Sequence, residues 1–492
     1  MGARQRDIRE RHARRPADPP DRGRRDHSRS TARTTLPVPL MSTLDSFDRL
    51  VLSIIAGLVL AIGSLLALGD HVGVRVTDVS PEEGSSPPVT APIQIAFGQP
   101  MQVASVEERF SIRPPVEGQF EWDGNTLIFQ PAQALSPEQT YTVTLEAGAE
   151  SSAGRRTLEA VSWSFRPRQP GIVYLAPADA ADRGLWFLPA EGGEPSELFT
   201  PRNGIFDLAP APDGSEIALT LAEDEPISHI WLVSRSGDSA RQLFNCAPAA
   251  CSTPAWSADG ELLAYVRREP SSNGLAPGRI WLYDLASGET APLFQDNQVL
   301  GFGPVWSPDG SRLAFFDGNA QAIRVLELES GRVTVIPSLM GEVGSFSPDG
   351  GQMVYTDIRQ VGRQYFPQLW LADLSEEGGI RPLLDEAEED SSPAWSPRGE
   401  WIAFARRRLD RQGGPGSQLM LINPESGELR QITDDAAYNN TGFQWDPTGQ
   451  RLLIQRFNLE TGSARAEIWL YDLGDESLAR LVENGFGGQW LP

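Results

Sequence analysis

The chain has 492 residues, a hydrophobic content of 40% and a formal net charge of -24 at pH 7. That length suffices for two or three packed domains. The acidic balance argues against nucleic-acid binding, which needs clustered Lys and Arg to neutralise phosphates. The 47 glycines and 40 prolines favour a fold of many short strands joined by turns.

Residues 1–49 form an arginine-rich tail, with 12 Arg against 7 Asp and Glu. The tail has no apolar periodicity, so it is predicted to be disordered and cytoplasmic. Met41 is a possible true start of translation, which would remove most of this tail.

The only long apolar run covers residues 50–69 and carries no charge. A helix of that length rises about 30 Å, which is the thickness of the hydrocarbon core of a bilayer. The arginine excess before it predicts a single-pass transmembrane helix with a cytoplasmic N-terminus and extracytoplasmic C-terminal domains. A cleaved signal peptide ending near Gly69 is the competing interpretation, and it also exports the rest.

Residues 77–168 contain segments in which apolar and polar residues alternate, separated by turn-forming residues. The segments are Pro92–Phe97, Thr126–Gln130, Thr140–Leu145 and Val161–Phe165. The pattern predicts a small antiparallel β-sandwich. The order of landmarks, from Val79-Ser-Pro81 through Leu135-Ser-Pro137 to Trp163-Ser-Phe165, resembles bacterial Ig-like domains of the SbsA type. That resemblance implies a role in spacing and surface presentation.

One motif recurs through the rest of the chain at intervals of about 40–50 residues, which is typical of a propeller. The copies are Pro254–Gly260, Pro304–Gly310, Gly344–Gly350, Pro393–Gly399 and Phe443–Gly449, with a degenerate copy at Leu208–Gly214. In each copy a strand ends at an aromatic residue or Pro, and a turn ending in Gly follows. Three further strands complete a four-stranded blade.

The two ends of this region hold the pieces of one more blade. Residues 171–199 supply a second, third and fourth strand, and Gly487–Pro492 supplies a first strand. We therefore predict an all-β protein with a seven-bladed β-propeller at 171–492, closed by the C-terminal strand, and an Ig-like β-sandwich before it. Closure removes exposed sheet edges.

The Trp-Ser-Pro-Asp-Gly turn, followed by a Leu-Ala-Phe strand, resembles the WD-repeat-like units of TolB-type propellers. The turn Asp is replaced at Arg398 and Thr448, where the resemblance is weaker. The resemblance implies an exported protein that binds partner proteins. From the residues themselves, we interpret the recurring Trp as packing between blades and the recurring Asp as a hydrogen-bond acceptor within its own turn.

The candidate binding residues are arginines in the predicted loops between second and third strands, on the same face as the acidic connections between blades. They are Arg267, Arg268, Arg363, Arg406, Arg407, Arg408 and Arg456. Two interpretations stay open. The charges are mutually paired and contribute little energy each, or they form a face that binds carboxylates of an envelope protein, peptide or glycan.

The sequence has no G-x-S-x-G nucleophile elbow, no H-E-x-x-H motif and no P-loop. We expect no catalytic residues, cofactor or metal, and a non-catalytic, membrane-anchored envelope protein that presents its propeller for protein or glycan binding. The alternative is a propeller hydrolase that acts on envelope polysaccharide through Asp or Glu at the central channel. Two or three unpaired carboxylates at one channel mouth would favour that alternative.

The chain has two cysteines, Cys246 and Cys251, in one predicted loop. Their spacing is compatible with a local disulfide in an oxidising compartment. Two free thiols at the surface are the alternative.

Overall fold

The apolar run near the N-terminus folds as one helix, α1 (Ser46–Gly69). The computed structural model describes residues 46–69, 73–137, 139–223, 227–409, 414–460 and 465–492. Residues 1–45, which include most of the predicted disordered tail and Met41, lie outside the described residues. Residues 46–49 of that predicted tail belong to α1.

The prediction of a transmembrane helix over residues 50–69 is wrong. Within the described part of the chain, no helix combines the length and the apolar character that crossing a membrane requires. The predicted single-pass location depended on a membrane-spanning helix and is therefore also wrong.

The first β domain is a sandwich of two sheets. Its elements are β1 (Val76–Ser80), β2 (Ile93–Phe97), α2 (Val103–Glu107), β3 (Phe110–Arg113), β4 (Gly118–Asp123), β5 (Thr126–Pro131), β6 (Tyr141–Leu145) and β7 (Val161–Phe165). One sheet has the order β1-β2-β5-β4 and the other has the order β3-β6-β7. Alternate residues of β2 and β6 are buried, so Ile93, Ile95, Val143 and Leu145 join one core.

The propeller begins with three strands that later complete the ring. They are β8 (Gly171–Ala176), β9 (Gly184–Pro189) and β10 (Ser196–Phe199). Blade 1 comprises β11 (Ile205–Pro210), β12 (Glu216–Ala222), β13 (Ser228–Ser234) and β14 (Ala240–Gln242). Blade 2 comprises β15 (Ala250–Trp256), β16 (Leu262–Arg268), β19 (Arg279–Asp284) and β20 (Thr290–Pro292), with a small hairpin of β17 (Pro270–Ser271) and β18 (Gly274–Leu275).

The next four blades follow the same plan. Blade 3 comprises β21 (Phe302–Trp306), β22 (Arg312–Asp317), β23 (Ala322–Glu327) and β24 (Val333–Pro337). Blade 4 comprises β25 (Ser345–Phe346), β26 (Gln352–Val361), β27 (Gln364–Asp373) and β28 (Ile380–Pro382). Blade 5 comprises β29 (Glu389–Trp395), β30 (Ile402–Arg407), β31 (Gln418–Ile422) and β32 (Leu429–Gln431). Blade 6 comprises β33 (Tyr438–Trp445), β34 (Arg451–Asn458), β35 (Ala466–Asp472) and β36 (Ser477–Glu483).

Blade 7 joins the two ends of the propeller. The last strand, β37 (Phe486–Leu491), pairs antiparallel with β8, so the sheet has the order β10-β9-β8-β37. The register places Trp490 opposite Ile172. Within the described residues, the propeller therefore has seven four-stranded blades, closed by the strand pairing that the two incomplete ends predicted.

The motif tryptophans connect neighbouring blades. In four cases the indole Nε1 donates a hydrogen bond of 3.0 Å to a backbone carbonyl in the first strand of the preceding blade. The pairs are Trp256–Ala209, Trp306–Ala255, Trp445–Ala394 and Trp490–Gln444. The turn aspartates accept hydrogen bonds within their own turns, as Asp309 Oδ1 does from the Ser311 N–H at 3.1 Å. The motif is thus an architectural unit.

Candidate binding face and channel

Two loop classes meet on one face of the propeller. The ends of the second strands lead into one class of loop and contact the connections between blades, as when Arg359 Nη2 of β26 lies 3.1 Å from Asp385 Oδ1 in the connection after blade 4. We call this surface the loop face. The first strands contact the first strands of neighbouring blades, so they line the centre of the ring.

The second strands run further towards the loop face than the sequence pattern indicated. The second strands of blades 2, 5 and 6, which are β16, β30 and β34, end at Arg268, Arg407 and Asn458 and so include arginines that the sequence placed in loops. Five of the seven predicted binding arginines therefore belong to strand ends rather than loops. They are Arg267, Arg268, Arg406, Arg407 and Arg456.

Arg406 is only 6% exposed and is held by carboxylates of its own blade and its connection. Its Nε and Nη2 donate to Asp390 Oδ1 and Oδ2 at 2.8 and 2.9 Å, and its Nη1 donates to Glu386. Burial raises the pKa of the Asp390 carboxyl, and the hydrogen bonds from Arg406 oppose that shift. A guanidinium engaged in this way is a structural cross-link.

Arg456 is 2% exposed and lies between two aromatic rings. Its guanidinium carbon is 3.9 Å from the ring centre of Tyr438 and 4.4 Å from that of Trp469. Its Nη2 lies 3.5 Å from Asp435 Oδ2. Burial lowers the pKa of Arg456, and the charge of Asp435 opposes the shift. This residue is also part of the blade's interior.

The other predicted arginines are closer to solvent. Arg267 pairs with Glu269 at 2.6 Å, and Arg407 Nε lies 2.6 Å from Glu389 Oε2. Arg268, Arg363 and Arg408 are exposed. The seven residues are distributed over blades 2, 4, 5 and 6. Their role in binding stays a prediction.

The sequence analysis passed over apolar side chains on the same face. Leu339 and Met340, in the connection before blade 4, are 69% and 45% exposed. Tyr365, near the start of β27, is 65% exposed. The N–H of Leu339 donates to Asp357 Oδ1 at 2.9 Å, which fixes the backbone of the connection. The sequence could have identified them as binding candidates, because they are apolar residues inside otherwise polar loops.

Glu342 is a carboxyl close to the first strands of blades 4 and 5, and within the described residues it forms no ion pair. Glu342 precedes β25, a first strand of only two residues, and it contacts Thr356 and the backbone of Ser392. Burial raises the pKa of Glu342, and these two contacts oppose the shift. Burial also raises the pKa of Asp390, whose cationic partner is Arg406.

Cys246 and Cys251 form a disulfide with an S–S distance of 2.01 Å. The neighbouring His229 is buried, and its Nδ1 accepts a hydrogen bond from the Cys246 N–H at 3.1 Å. The other ring nitrogen, Nε2, therefore carries the proton and donates to Glu223 Oε2 at 2.7 Å. His229 orients the disulfide loop.

Among the described residues, no group of three or more His, Cys, Asp or Glu is arranged to hold a metal ion.

Together these features define a β-propeller protein with an Ig-like sandwich before the ring. A family model for the TolB beta propeller domain matches residues 262–486, and one for a bacterial Ig-like domain matches residues 70–166. The chain thus contains a TolB-like propeller and a bacterial Ig-like domain.

The chain is also similar to individual bacterial proteins. It is 23% identical over 219 residues to "Uncharacterized peptidase YuxL" of Bacillus subtilis, covering 43% of this chain and 30% of that protein. It is 25% identical over 258 residues to "Uncharacterized protein Atu1656" of Agrobacterium fabrum, covering 49% of this chain and 79% of that protein. The crystal structure of TolB from Acinetobacter baumannii is 16% identical, covers 80% of this chain and 86% of that chain, and has a TM-score of 0.41. The matched part spans less than a third of the peptidase.

Proposed function

We propose that this chain is a non-catalytic binding protein whose propeller recognises a protein partner through the loop face. The observation that carries the proposal is the exposure of Leu339 and Met340, in the connection before blade 4, and of Tyr365 in β27 of that blade. Exposed apolar groups rimmed by polar ones are characteristic of interaction sites. Aliphatic side chains such as Leu339 favour a protein over a glycan, because sugar hydroxyls need hydrogen-bond partners.

Paired charges would surround this apolar group. Arg359 and Asp385 lie in blade 4 and the connection after it, and Arg407 pairs with Glu389 in blade 5. In the proposal, the exposed Arg363 and Arg408 belong to the polar rim. Rim charges act mainly on the rate and specificity of association.

Site-specific photocrosslinking tests the proposal. A photoreactive amino acid replaces Leu339 or Tyr365 in the full chain, and the matched control replaces Val335, an exposed residue of the outermost strand β24. We expect one protein to crosslink from positions 339 and 365 and not from position 335. Met340→Asp should reduce that crosslink at least about tenfold. Equal crosslinking from all three positions, or none, would refute the loop face as the binding surface.

The second candidate is a hydrolase that acts on polysaccharide through carboxyls at the channel. The direction of the pKa shift of Glu342 favours it, because burial raises the pKa of this carboxyl, as it does for carboxyls that act as general acids. The similarity to the Bacillus subtilis protein named as a peptidase is compatible with a catalytic role. Only 30% of that protein is matched, so the similarity does not extend over its whole length. Release of reducing ends from envelope polysaccharide, lost in Glu342→Gln, would support the hydrolase. If the unmodified chain released no reducing ends, the hydrolase hypothesis would be refuted.

A further inference from the structure

The hairpin of blade 4 extends well beyond the first strand of its own blade. β26 and β27 contain ten residues each and pair along their whole length. The first strand, β25, contains only two residues and pairs only with Met353 and Val354 of β26. Beyond Val354, the inner edge of β26 therefore has no first strand beside it.

Other blades show what normally occupies this position. In blade 5 the first strand β29 pairs with β30 as far as its last residue, Arg407. In blades 2 and 6 the first strands pair in the same way as far as Arg268 and Asn458. Residues 357–361 of β26 lack such a partner. An unpaired strand edge is a template for a strand from another chain.

The free main-chain groups of this edge belong to Ile358 and Gln360. The Leu369 carbonyl of β27 accepts a hydrogen bond from the Leu383 N–H at 2.8 Å, so it points away from β26. Alternate residues of a strand share this direction, so it also applies to Pro367, which lies opposite Ile358. The N–H and C=O groups of Ile358 and Gln360 therefore point to the inner edge. Within the described residues, no hydrogen bond reaches them from that side.

Apolar side chains flank the free edge. Opposite residues of paired strands share a face, so Ile358 and Pro367 lie on the same face of the hairpin as Tyr365, which is 65% exposed. The exposed Leu339 lies at the base of the edge, because its N–H donates to the side chain of Asp357 at 2.9 Å. A strand placed here buries apolar area that is now in contact with water.

The charge at the tip of the hairpin indicates how such a strand begins. Arg363, in the turn between β26 and β27, is exposed, and within the described residues no carboxylate forms an ion pair with it. In blade 5 the first residue of β29, Glu389, lies with its Oε2 2.6 Å from Nε of Arg407 at the end of the second strand. A strand that runs antiparallel to β26, as first strands do, brings its N-terminal end to Arg363. An acidic residue at that end completes an equivalent ion pair.

We propose that a partner protein binds by adding an extended strand to the inner edge of β26, with an acidic residue at the N-terminal end of that strand. Main-chain hydrogen bonds to Ile358 and Gln360 hold the strand, and its apolar side chains contact Leu339 and Tyr365. This inference rests on the proposed protein-binding function and adds the conformation and the charge pattern of the bound segment.

Calorimetric titration of the full chain with synthetic peptides tests the proposal. The reference probe is acetyl-Glu-Val-Thr-Val-Thr-Val-amide, and two further probes carry N-methyl groups on all of its valines or on both of its threonines. Each methylation blocks pairing along one edge of the peptide and keeps the side chains. We expect the reference probe to bind, one methylated probe to bind at least about tenfold more weakly, and the other to bind like the reference.

Substitutions at one position separate main-chain recognition from side-chain recognition. Gln360→Pro removes the N–H at the free edge and keeps the pairing with β27, so it should weaken binding of the reference probe at least about tenfold. Gln360→Ala keeps that N–H and is the matched control, which should bind like the unmodified chain.

The ion pair at the hairpin tip has its own test. A probe with Gln in place of Glu should bind the unmodified chain about threefold more weakly than the reference probe. Arg363→Gln should abolish this difference. Equal binding of the two probes to the unmodified chain would refute the acidic end of the strand.

Crosslinking separates failure of this inference from failure of the proposed function. A protein that crosslinks from position 339 should lose its crosslink at least about tenfold in Gln360→Pro and keep it in Gln360→Ala. If the crosslink persists in Gln360→Pro, the protein-binding function stands and strand addition is refuted. If no protein crosslinks, the proposed function fails, and the peptides alone decide whether the edge accepts a strand.

Three further results would overturn the proposal. They are no binding of the reference probe at its solubility limit, equal binding of the two methylated probes, and a concentration-dependent dimer of this chain that Gln360→Pro abolishes. The last result would make a second copy of the chain the occupant of the edge. If Gln360→Pro does not fold, the methylated probes decide the matter.

Discussion

Arg406 and Asp390 lie opposite each other on β30 and β29 and share two hydrogen bonds of 2.8 and 2.9 Å in the interior of blade 5. Both side chains are buried, and removal of Asp390 leaves the Arg406 guanidinium with only the more exposed Glu386 as a carboxylate partner. Asp390→Asn should lower the free energy of unfolding by about 3–5 kcal/mol, as is usual for a broken buried ion pair. Denaturant unfolding measures the change.

The matched control is Glu389→Gln on the adjacent residue. Glu389 pairs with the exposed Arg407, and an exposed pair contributes about 1 kcal/mol or less. Similar effects of the two substitutions would contradict the distinction between a buried cross-link and a rim pair.

Trp490 should account for much of the stability of ring closure. It is 7% exposed in β37, and its Nε1 donates to the Gln444 carbonyl of blade 6 at 3.0 Å. Trp490→Phe removes the hydrogen bond and part of the packed indole ring and should cost at least about 1 kcal/mol. Trp490→Ala also removes the packed ring and should cost about 3–5 kcal/mol of unfolding free energy. An alanine variant as stable as the phenylalanine variant would show that the ring does not depend on this contact.

Thr253 occupies a backbone conformation that suits glycine. Its φ is +48°, it lies in a β-bulge of the first strand β15, and its hydroxyl is buried without a partner. In the next blade the corresponding bulge of β21 holds Gly303, with a φ of +57°. Thr253→Gly should raise the free energy of unfolding by about 1 kcal/mol, and Gly303→Thr should lower it by about 1–2 kcal/mol. Thermal unfolding of both variants checks that the two changes in stability have opposite signs. A loss of stability in Thr253→Gly would contradict the conclusion that the backbone of Thr253 is strained.

Glu342 should make stability depend on pH in the weakly acidic range. Burial raises its pKa above the value of about 4.3 in an unfolded chain. Between these two pKa values the folded state holds a proton that the unfolded state has released, so the free energy of unfolding falls as pH rises. Glu342→Gln should flatten this decline and be more stable than the unmodified chain at neutral pH.

Denaturant unfolding over a pH series measures this difference for Glu342→Gln. Glu329→Gln, at an exposed position, is the control and should follow the unmodified chain. A difference between Glu342→Gln and the unmodified chain that stays constant with pH would contradict the assignment.

The burial of individual arginines could not be predicted from the sequence. Arg406 and Arg407 are adjacent and chemically identical, yet one is buried and the other is exposed. Successive side chains of a strand point to opposite sides, so the difference follows once β30 is known to reach Arg407. The end of a strand depends on its partners, here β29 and β31, and that pairing is not local.

The sequence by itself determined the repeat, the turn chemistry and the closing strand of this protein. Each of these features depends on residues that are close together in the chain or on the number of repeats. The roles of Trp306 in packing between blades and of Asp309 within its own turn could therefore be predicted from the sequence. Only the tertiary structure decided which of the charges are buried, as it did for Arg406, Asp390 and Arg456. Burial depends on strand pairing and on packing between blades, which bring together residues that are distant in the chain.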